Sequence, residues 1–582
     1  MGAVCCKSSR VRPSRAKDPR MMSLVEIELK TKKDFQRQWE ESHSLVQVEL
    51  ASVWGLTIGY QNIHSVYTLE EKAIGANHYG VIKRAKLGFD PSQVYAVKII
   101  KKDKLTNDIN PLKNEFELLR FLDHPNILKF YEIFQDTNHY YFVMEYCDGG
   151  SITTYIEKNG ALSEELTKNI MFQVLQTLAH LHACGIAHRD IKPDNFLLKN
   201  KDINSPIKLT DFSLSRKFTQ GSTMYTLLGT PSYVAPELLM KKGYTHKADL
   251  WSAGVMMYLM LAAKFPFKGE TSAMLFQKIK IGDYDLSASP QLKNLSGDGV
   301  ALLCGLLEKD PNKRLSAHEA LRQPWFDELN IQANERGKKL ISKDILGRLR
   351  GFSAVSNFWK EVIRLLVMIH DDSPHIQDMY SIFFYIDVLG NGVINNVEIE
   401  KLFASQGEHL SEKEVQDIVT SLELRTKNTI TYSEFITAVL DPKFYKNDKY
   451  LTEAFRRFDV DNDGFISYQD VQNCFTRFGV SLSKSETKKM IKQFDENTDT
   501  KLSCMDFIRL MKGDSRSRRS KSTIFSPQRL AFMNNMPSSS QNVSERNLTP
   551  TPHKYPSGSH TPPPLLDETS KGEDHQRPDN HV

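Results

Sequence analysis

From Tyr67 the apolar positions fall into short strand-like and helix-like runs that alternate without a long break to about Phe326. The stretch Val94-Tyr95-Ala96-Val97-Lys98 predicts an apolar strand ending in a lysine, and Asn114-Glu115-Phe116-Glu117-Leu118-Leu119 carries a helical pattern. A basic amphipathic stretch covers about 330–370, with Phe358, Trp359, Ile363, Leu366 and Val367 at helical spacing. A repeat occupies 377–511: Asp387, Glu423, Asp459 and Asp495 stand 36 residues apart. Seven positions further on, Ile394, Ile430, Ile466 and Leu502 keep step, and so do Glu398, Glu434, Asp470 and Asp506 four beyond those. A solvated acidic helix does not generate four phased copies. Residues 1–66 are basic and weakly patterned, and 512–582 are Ser-, Pro- and Asn-rich, a composition that predicts disorder.

Composition changes this picture little. Of 582 residues 40% are hydrophobic and 25% charged, ordinary for globular domains, and the length predicts two or three of them. A formal net charge of +5 gives no reason to expect a nucleic-acid partner. No apolar run reaches the roughly 20 residues of a membrane-spanning helix, and no signal peptide opens the chain. The seven cysteines have no disulfide or zinc spacing, so a reducing, cytoplasmic setting is expected.

Candidate chemistry begins at Ile74-Gly75-Ala76-Asn77-His78-Tyr79-Gly80-Val81, a glycine-poor turn between two strands. Alone it reads as an ordinary hairpin. Its place in an ordered series of residues gives it meaning: Lys98 comes next, then the candidate carboxylate Glu115, then His188-Arg189-Asp190-Ile191-Lys192-Pro193-Asp194-Asn195. That loop places a base, a cation and a metal-binding amide together, which suits phosphoryl transfer, where positioning and charge neutralisation dominate. Asp211-Phe212-Ser213, Gly229-Thr230-Pro231-Ser232-Tyr233, Ala235-Pro236-Glu237 and Asp249-Leu250-Trp251-Ser252-Ala253-Gly254 come later in order.

This set resembles the eukaryotic protein kinases over 67–326. The resemblance implies an α+β bilobal fold that uses ATP and Mg²⁺. It implies that residues 74–81, Ala96, Lys98, Met144, Glu145 and Cys147 contact ATP, with Met144 as gatekeeper, and that Asn195 and Asp211 bind magnesium. Asp190 is then the base, Lys192 steadies the γ-phosphate and Lys98 pairs with Glu115. Glu237 and Arg314 resemble a buried pair that serves the fold. Lys192 and the 229–233 segment resemble the serine/threonine branch, and Asp194 suits a basic residue upstream of the target hydroxyl. Arg189 beside the base predicts ordering by an anionic activation segment, with Thr223, Tyr225 and Thr226 as candidates. Two positions depart from the pattern: Asn77 and Ser213 replace glycines.

In the repeat, Asp459, Asp461 and Asp463 supply carboxylates at positions one, three and five of a calcium loop. Gly464 makes the turn, Phe465 offers its carbonyl and Asp470 closes the loop. The four copies resemble EF-hands in a calmodulin-like, all-α domain. Asp387, Asn391 and Glu398 suit calcium in the first copy, although Leu389 offers no ligand. Arg425 and Lys427 would repel it in the second, which is read as structural only. Asp495, Asn497, Asp499 and Asp506 suit it in the fourth, where Thr500 replaces the turn glycine.

A kinase followed by four EF-hands resembles the calcium-dependent protein kinases. That resemblance implies a junction, 327–376, able to plug the substrate groove or to enter an EF-hand groove opened by Ca²⁺. Two other readings fit parts of the sequence: a calcium-controlled pseudokinase scaffold, suggested by Asn77 and Ser213, and a constitutive kinase with a structural EF-hand module. At the N-terminus, Gly2 predicts myristoylation, Cys5 and Cys6 predict palmitoylation, and the basic stretch adds attraction to an anionic leaflet, so peripheral membrane association is expected. Arg516, Arg518, Arg519 and Lys521 surround candidate autophosphorylation sites at Ser517, Ser520 and Ser522.

Overall fold

The computed structural model of the chain describes residues 63–76, 80–88, 90–105, 110–218, 224, 229–240, 243–371, 373–388, 390–422, 429–459, 463–477, 484–485, 487–488 and 501–513. The first lobe is an antiparallel sheet in the order β1-β2-β3-β5-β4, formed by Tyr67–Ala76, Gly80–Leu87, Asp90–Lys101, His139–Glu145 and Phe130–Gln135 respectively. The apolar run before Lys98 is the middle of β3, buried between β2 and β5. Helix α1, Asn110–Phe121, carries Glu115 on the face that buries Phe116, Leu118 and Leu119.

The second lobe is helical. Helix α2, Glu164–Ala183, starts at Ser163, whose hydroxyl accepts from the Leu166 amide, with Glu164 and Glu165 completing an acidic first turn. Helix α3, Lys247–Ala262, is buried on nearly every side, as its almost wholly apolar composition after Ser252 dictates. Two short antiparallel pairs, β6–β9 (Ile186–Ala187 with Arg216–Lys217) and β7–β8 (Phe196–Leu198 with Ile207–Leu209), hold the loop between them against this core.

Beyond Phe326 the amphipathic stretch is broken into α4 (Asp327–Leu340), α5 (Lys343–Gly351) and α6 (Asn357–Ile369). The breaks fall where serines cap the next helix: Ser342 accepts from the Ile345 amide and Ser356 from the Trp359 amide. The EF-hand helices come next as α7 (Pro374–Ile386), α8 (Asn396–Ser405), α9 (Glu412–Leu422), α10 (Tyr432–Val439), α11 (Asp448–Phe458), α12 (Tyr468–Arg477) and α13 (Cys504–Lys512). The phased aliphatic positions pair across loops, Ile394 with Ile430 in β10–β11 (Val393–Ile394, Ile430–Thr431) and Ile466 with Leu502 in β12–β13 (Phe465–Ser467, Lys501–Ser503). One apolar core joins α5 and α6 to these helices: Phe358, Val362, Ile363 and Leu366 are buried with Phe383, Phe435, Phe458 and Phe507.

Candidate active site and calcium loops

Two left-handed, non-glycine residues mark the cleft, Arg189 (φ 69°) and Asp211 (φ 61°). Such backbone is costly and needs external support. For Arg189 the support is Asp249 on α3, whose carboxylate accepts from the amides of His188 (2.9 Å) and Arg189 (2.8 Å) and bonds His182 Nε2 at 2.9 Å. The Arg189 side chain donates to the Leu214 carbonyl at 2.6 Å.

The turn held this way presents Asp190. Its Oδ1 accepts from the Thr230 hydroxyl at 2.8 Å, and its Oδ2 lies 2.7 Å from Lys192 Nζ and 3.1 Å from Asn195 Nδ2. Burial works against the charged carboxyl, but Lys192 and the Thr230 hydroxyl outweigh it and hold Asp190 below its ordinary range, ionised at neutral pH. With Nδ2 committed to Asp190, Asn195 keeps its amide oxygen for a metal. Thr230, read from sequence only as a mark of the serine/threonine branch, therefore touches both base and cation: Lys192 Nζ also donates to its hydroxyl at 2.8 Å. Gly229 allows that approach, because a Cβ there would sit 2.7 Å from the Arg189 carbonyl.

Across the cleft, Lys98 Nζ donates to both oxygens of Glu115 at 2.8 Å, each residue 7% exposed. Gly80 is demanded by the sheet, since a Cβ would come within 1.8 Å of the Ile99 carbonyl. Gly75 is under no such constraint. Ile74 and Val81 are exposed, whereas Ala96 and Met144 are buried as register partners in β3–β5. Asn77, His78 and Tyr79 lie outside the described residues, as do Thr223, Tyr225 and Thr226.

Glu145 turns its carboxylate away from the cleft to Lys199 (2.7 Å) and Lys208 (3.0 Å). Burial alone would raise it; Lys208, Lys199 and Lys129 overcome this and bring it down to about 2. Asp371, just past α6, joins the network at 2.8 Å from Lys129 Nζ. Arg314 donates to both oxygens of Glu237 at 2.7 and 2.9 Å in a fully buried fork.

In the third calcium loop Asp459 accepts from the amides of Asp463 (3.1 Å) and Gly464 (3.0 Å), and Gly464 is left-handed at φ 85°. Asp463 also faces Lys501 Nζ at 2.5 Å, a cation that competes with calcium for the carboxylate. The first loop repeats the pattern: Asp387 accepts from Asn391 (3.1 Å) and Gly392 (2.7 Å), and Glu398 accepts from the Asn395 amide at 3.0 Å. Burial raises Asp387 to about 7, with the Glu398 charge adding to it against the backbone amides that lower it. The donor set, all oxygen around a left-handed glycine, fits calcium. Among the described residues these carboxylates hold backbone amides, and no group of three or more acidic, His or Cys side chains converges into a cation cage. Asp470 accepts from Ser467, and Asp506 from the Ser503 hydroxyl. Leu389, Arg425, Lys427, Asp461, Asp495, Asn497, Asp499 and Thr500 lie outside the described residues, as do Gly2, Cys5, Cys6 and the tail.

Sequence reasoning missed the residues joining the two halves. Arg457 of α11 is 8% exposed and donates to Tyr67 Oη (2.8 Å), Glu132 (2.9 Å) and Tyr95 Oη (2.5 Å). Asp123, after α1, accepts from the hydroxyls of Thr431 and Ser433 and from the Ser433 amide. His180 of α2 meets the Asn391 carbonyl at 3.2 Å.

Residues 68–326 match the protein kinase domain family and 448–512 match the EF-hand domain pair family. The chain is 32% identical over 455 residues to calcium-dependent protein kinase 34 of Arabidopsis thaliana, covering 78% of this chain and 85% of that one. It is 33% identical over 457 residues to calcium-dependent protein kinase 3 of Plasmodium berghei (strain Anka), covering 78% and 81%.

Proposed function

Since the chain belongs to the calcium-dependent protein kinase family and is an ATP- and magnesium-using serine/threonine kinase with a calcium-sensing EF-hand region, we propose that α6 is the element calcium moves. One observation carries this reading: α6 is buried in the EF-hand core while Lys98–Glu115 is closed and Asp190 is engaged by Lys192, Asn195 and Thr230. Capture of the helix thus coincides with an assembled set of catalytic side chains. Without calcium the helix leaves that core and its basic, apolar face occupies the substrate groove. We place the catalytic domain at 67–326, the junction at 327–376 and the calmodulin-like domain at 377–511.

Asp190 takes the proton of the substrate hydroxyl as its oxygen bonds to the γ-phosphorus and the bond from phosphorus to the bridging oxygen of ATP breaks, releasing ADP. Lys192 neutralises charge gathering on the transferred group, and Lys98, oriented by Glu115, holds the α- and β-phosphates. Magnesium, when bound by Asn195 and Asp211, supplies further neutralisation. The third loop is the principal calcium site, and the second binds none. Gly2, Cys5 and Cys6 carry acyl groups that bring the protein to a membrane surface; a Gly2→Ala variant that still incorporates labelled myristate removes that part.

The plug is tested with a synthetic peptide of residues 343–369 added to the active, calcium-loaded protein. It raises the KM for a basic serine peptide and leaves kcat unchanged. No inhibition, or loss of kcat alone, sinks the competitive mechanism.

A further inference from the structure

Asp211 is held by a residue that departs from the kinase pattern. The Ser213 hydroxyl donates to Asp211 Oδ1 at 2.6 Å, and the Ser213 amide donates to the same oxygen at 3.2 Å. A glycine at 213 supplies only the amide. The side chain costs the backbone nothing, because Ser213 is absent from the described residues with positive φ, whereas Asp211 itself sits at φ 61°. Asp211 is solvent-exposed, and among the described residues its Oδ2 accepts no protein hydrogen bond, so both donors act on one oxygen and the other stays open. The segment is anchored on either side as well: Phe212 is fully buried against His188 (ring centroids 5.0 Å apart), and Asn114 of α1 donates to the Ser215 carbonyl at 2.7 Å.

We propose that Ser213 is a positioning residue: its hydroxyl fixes the carboxylate of Asp211 so that Oδ2 is pre-aimed at the magnesium ion. Pre-orientation of this kind lowers the ordering cost of binding the metal and leaves nucleoside recognition untouched. The serine is then a gained contact that replaces the conformational freedom of glycine with a fixed ligand.

The inference rests on Asp211 being a magnesium ligand, and the experiment separates the two. Full-length protein is titrated with magnesium at fixed non-hydrolysable ATP analogue, and the half-saturating magnesium concentration is read by calorimetry; adenosine affinity without metal is the control. Ser213→Ala is expected to raise the magnesium requirement about fivefold, the size of one lost solvent-exposed hydrogen bond of ordinary net strength. Ser213→Thr restores it, and adenosine affinity stays unchanged in both. If Asp211→Asn raises the requirement and Ser213→Ala does not, the serine proposal is overturned while the ligand assignment stands. If Asp211→Asn leaves it unchanged, the assignment itself fails and the proposal with it. An equal loss of adenosine affinity in Ser213→Ala would mark a merely structural residue and also overturn it.

Discussion

The two glycines on either side of residues 77–79, Gly75 and Gly80, look alike in sequence and are unlike in structure. A methyl group at 80 would collide with the Ile99 carbonyl, while one at 75 meets only Ile82 at 3.7 Å. Gly80→Ala should therefore destabilise the first lobe by roughly 1–3 kcal/mol, and Gly75→Ala by about 0.5 kcal/mol or less, measured by denaturant unfolding. Equal effects would contradict the geometry. Thr230 makes a second test, because it bonds both Asp190 and Lys192. Thr230→Ala is expected to lower kcat at least about tenfold, with Ser restoring most of it, since both charge-assisted hydrogen bonds of the hydroxyl are lost. The side chains that meet at Asp190 were legible as candidates because phosphoryl transfer calls for these residue types in this order along a local loop. Thr230 was legible only as a motif letter: its partners lie 38 and 40 positions away, where no short-range pattern points.

At the scale of elements, the apolar stripe of the junction was readable and its division was not. The stripe gives one face; the caps at Ser342 and Ser356, with a 3-10 turn over Phe352–Ala354, split it into α5 and α6. That split lets both pieces enter one core. Phe358 packs on Phe458 (5.6 Å) and Phe507 (6.2 Å), so Phe358→Ala should cost about 3–5 kcal/mol in stability of the EF-hand region. Chemical unfolding followed in the presence of calcium checks this, and a cost below about 1 kcal/mol would place α6 outside the core. The repeat was legible in its aliphatic phase, since Ile394 pairs with Ile430 and Ile466 with Leu502, while Glu423 and Asp495 lie outside the described residues.

For the whole molecule, the contacts joining the lobes to the EF-hand helices span very long stretches of chain, 308 to 390 positions for Asp123 and Arg457, and no local signal announces them. Arg457→Ala leaves Glu132 buried without its guanidinium and should faster expose the amides of β4 and α11 to hydrogen exchange; unchanged rates there would contradict the buried contact. The Glu145 network has a pH signature. Its carboxyl is depressed to about 2 from an ordinary 4.5, so its stabilisation is fully present above about pH 4.5 and is lost as pH falls through about 2. The stability gap between wild type and Glu145→Gln should be constant above about pH 5 and narrow toward about pH 2.

The most direct measurement is phosphate transfer from ATP to a basic serine peptide by purified full-length protein with magnesium, in calcium and in chelator, with Asp190→Asn as the blank. A rate that rises on calcium addition, and only in protein carrying Asp190, is the result the account predicts. Equal rates in calcium and chelator would contradict the switch, and no rate above the blank in either would contradict the kinase itself.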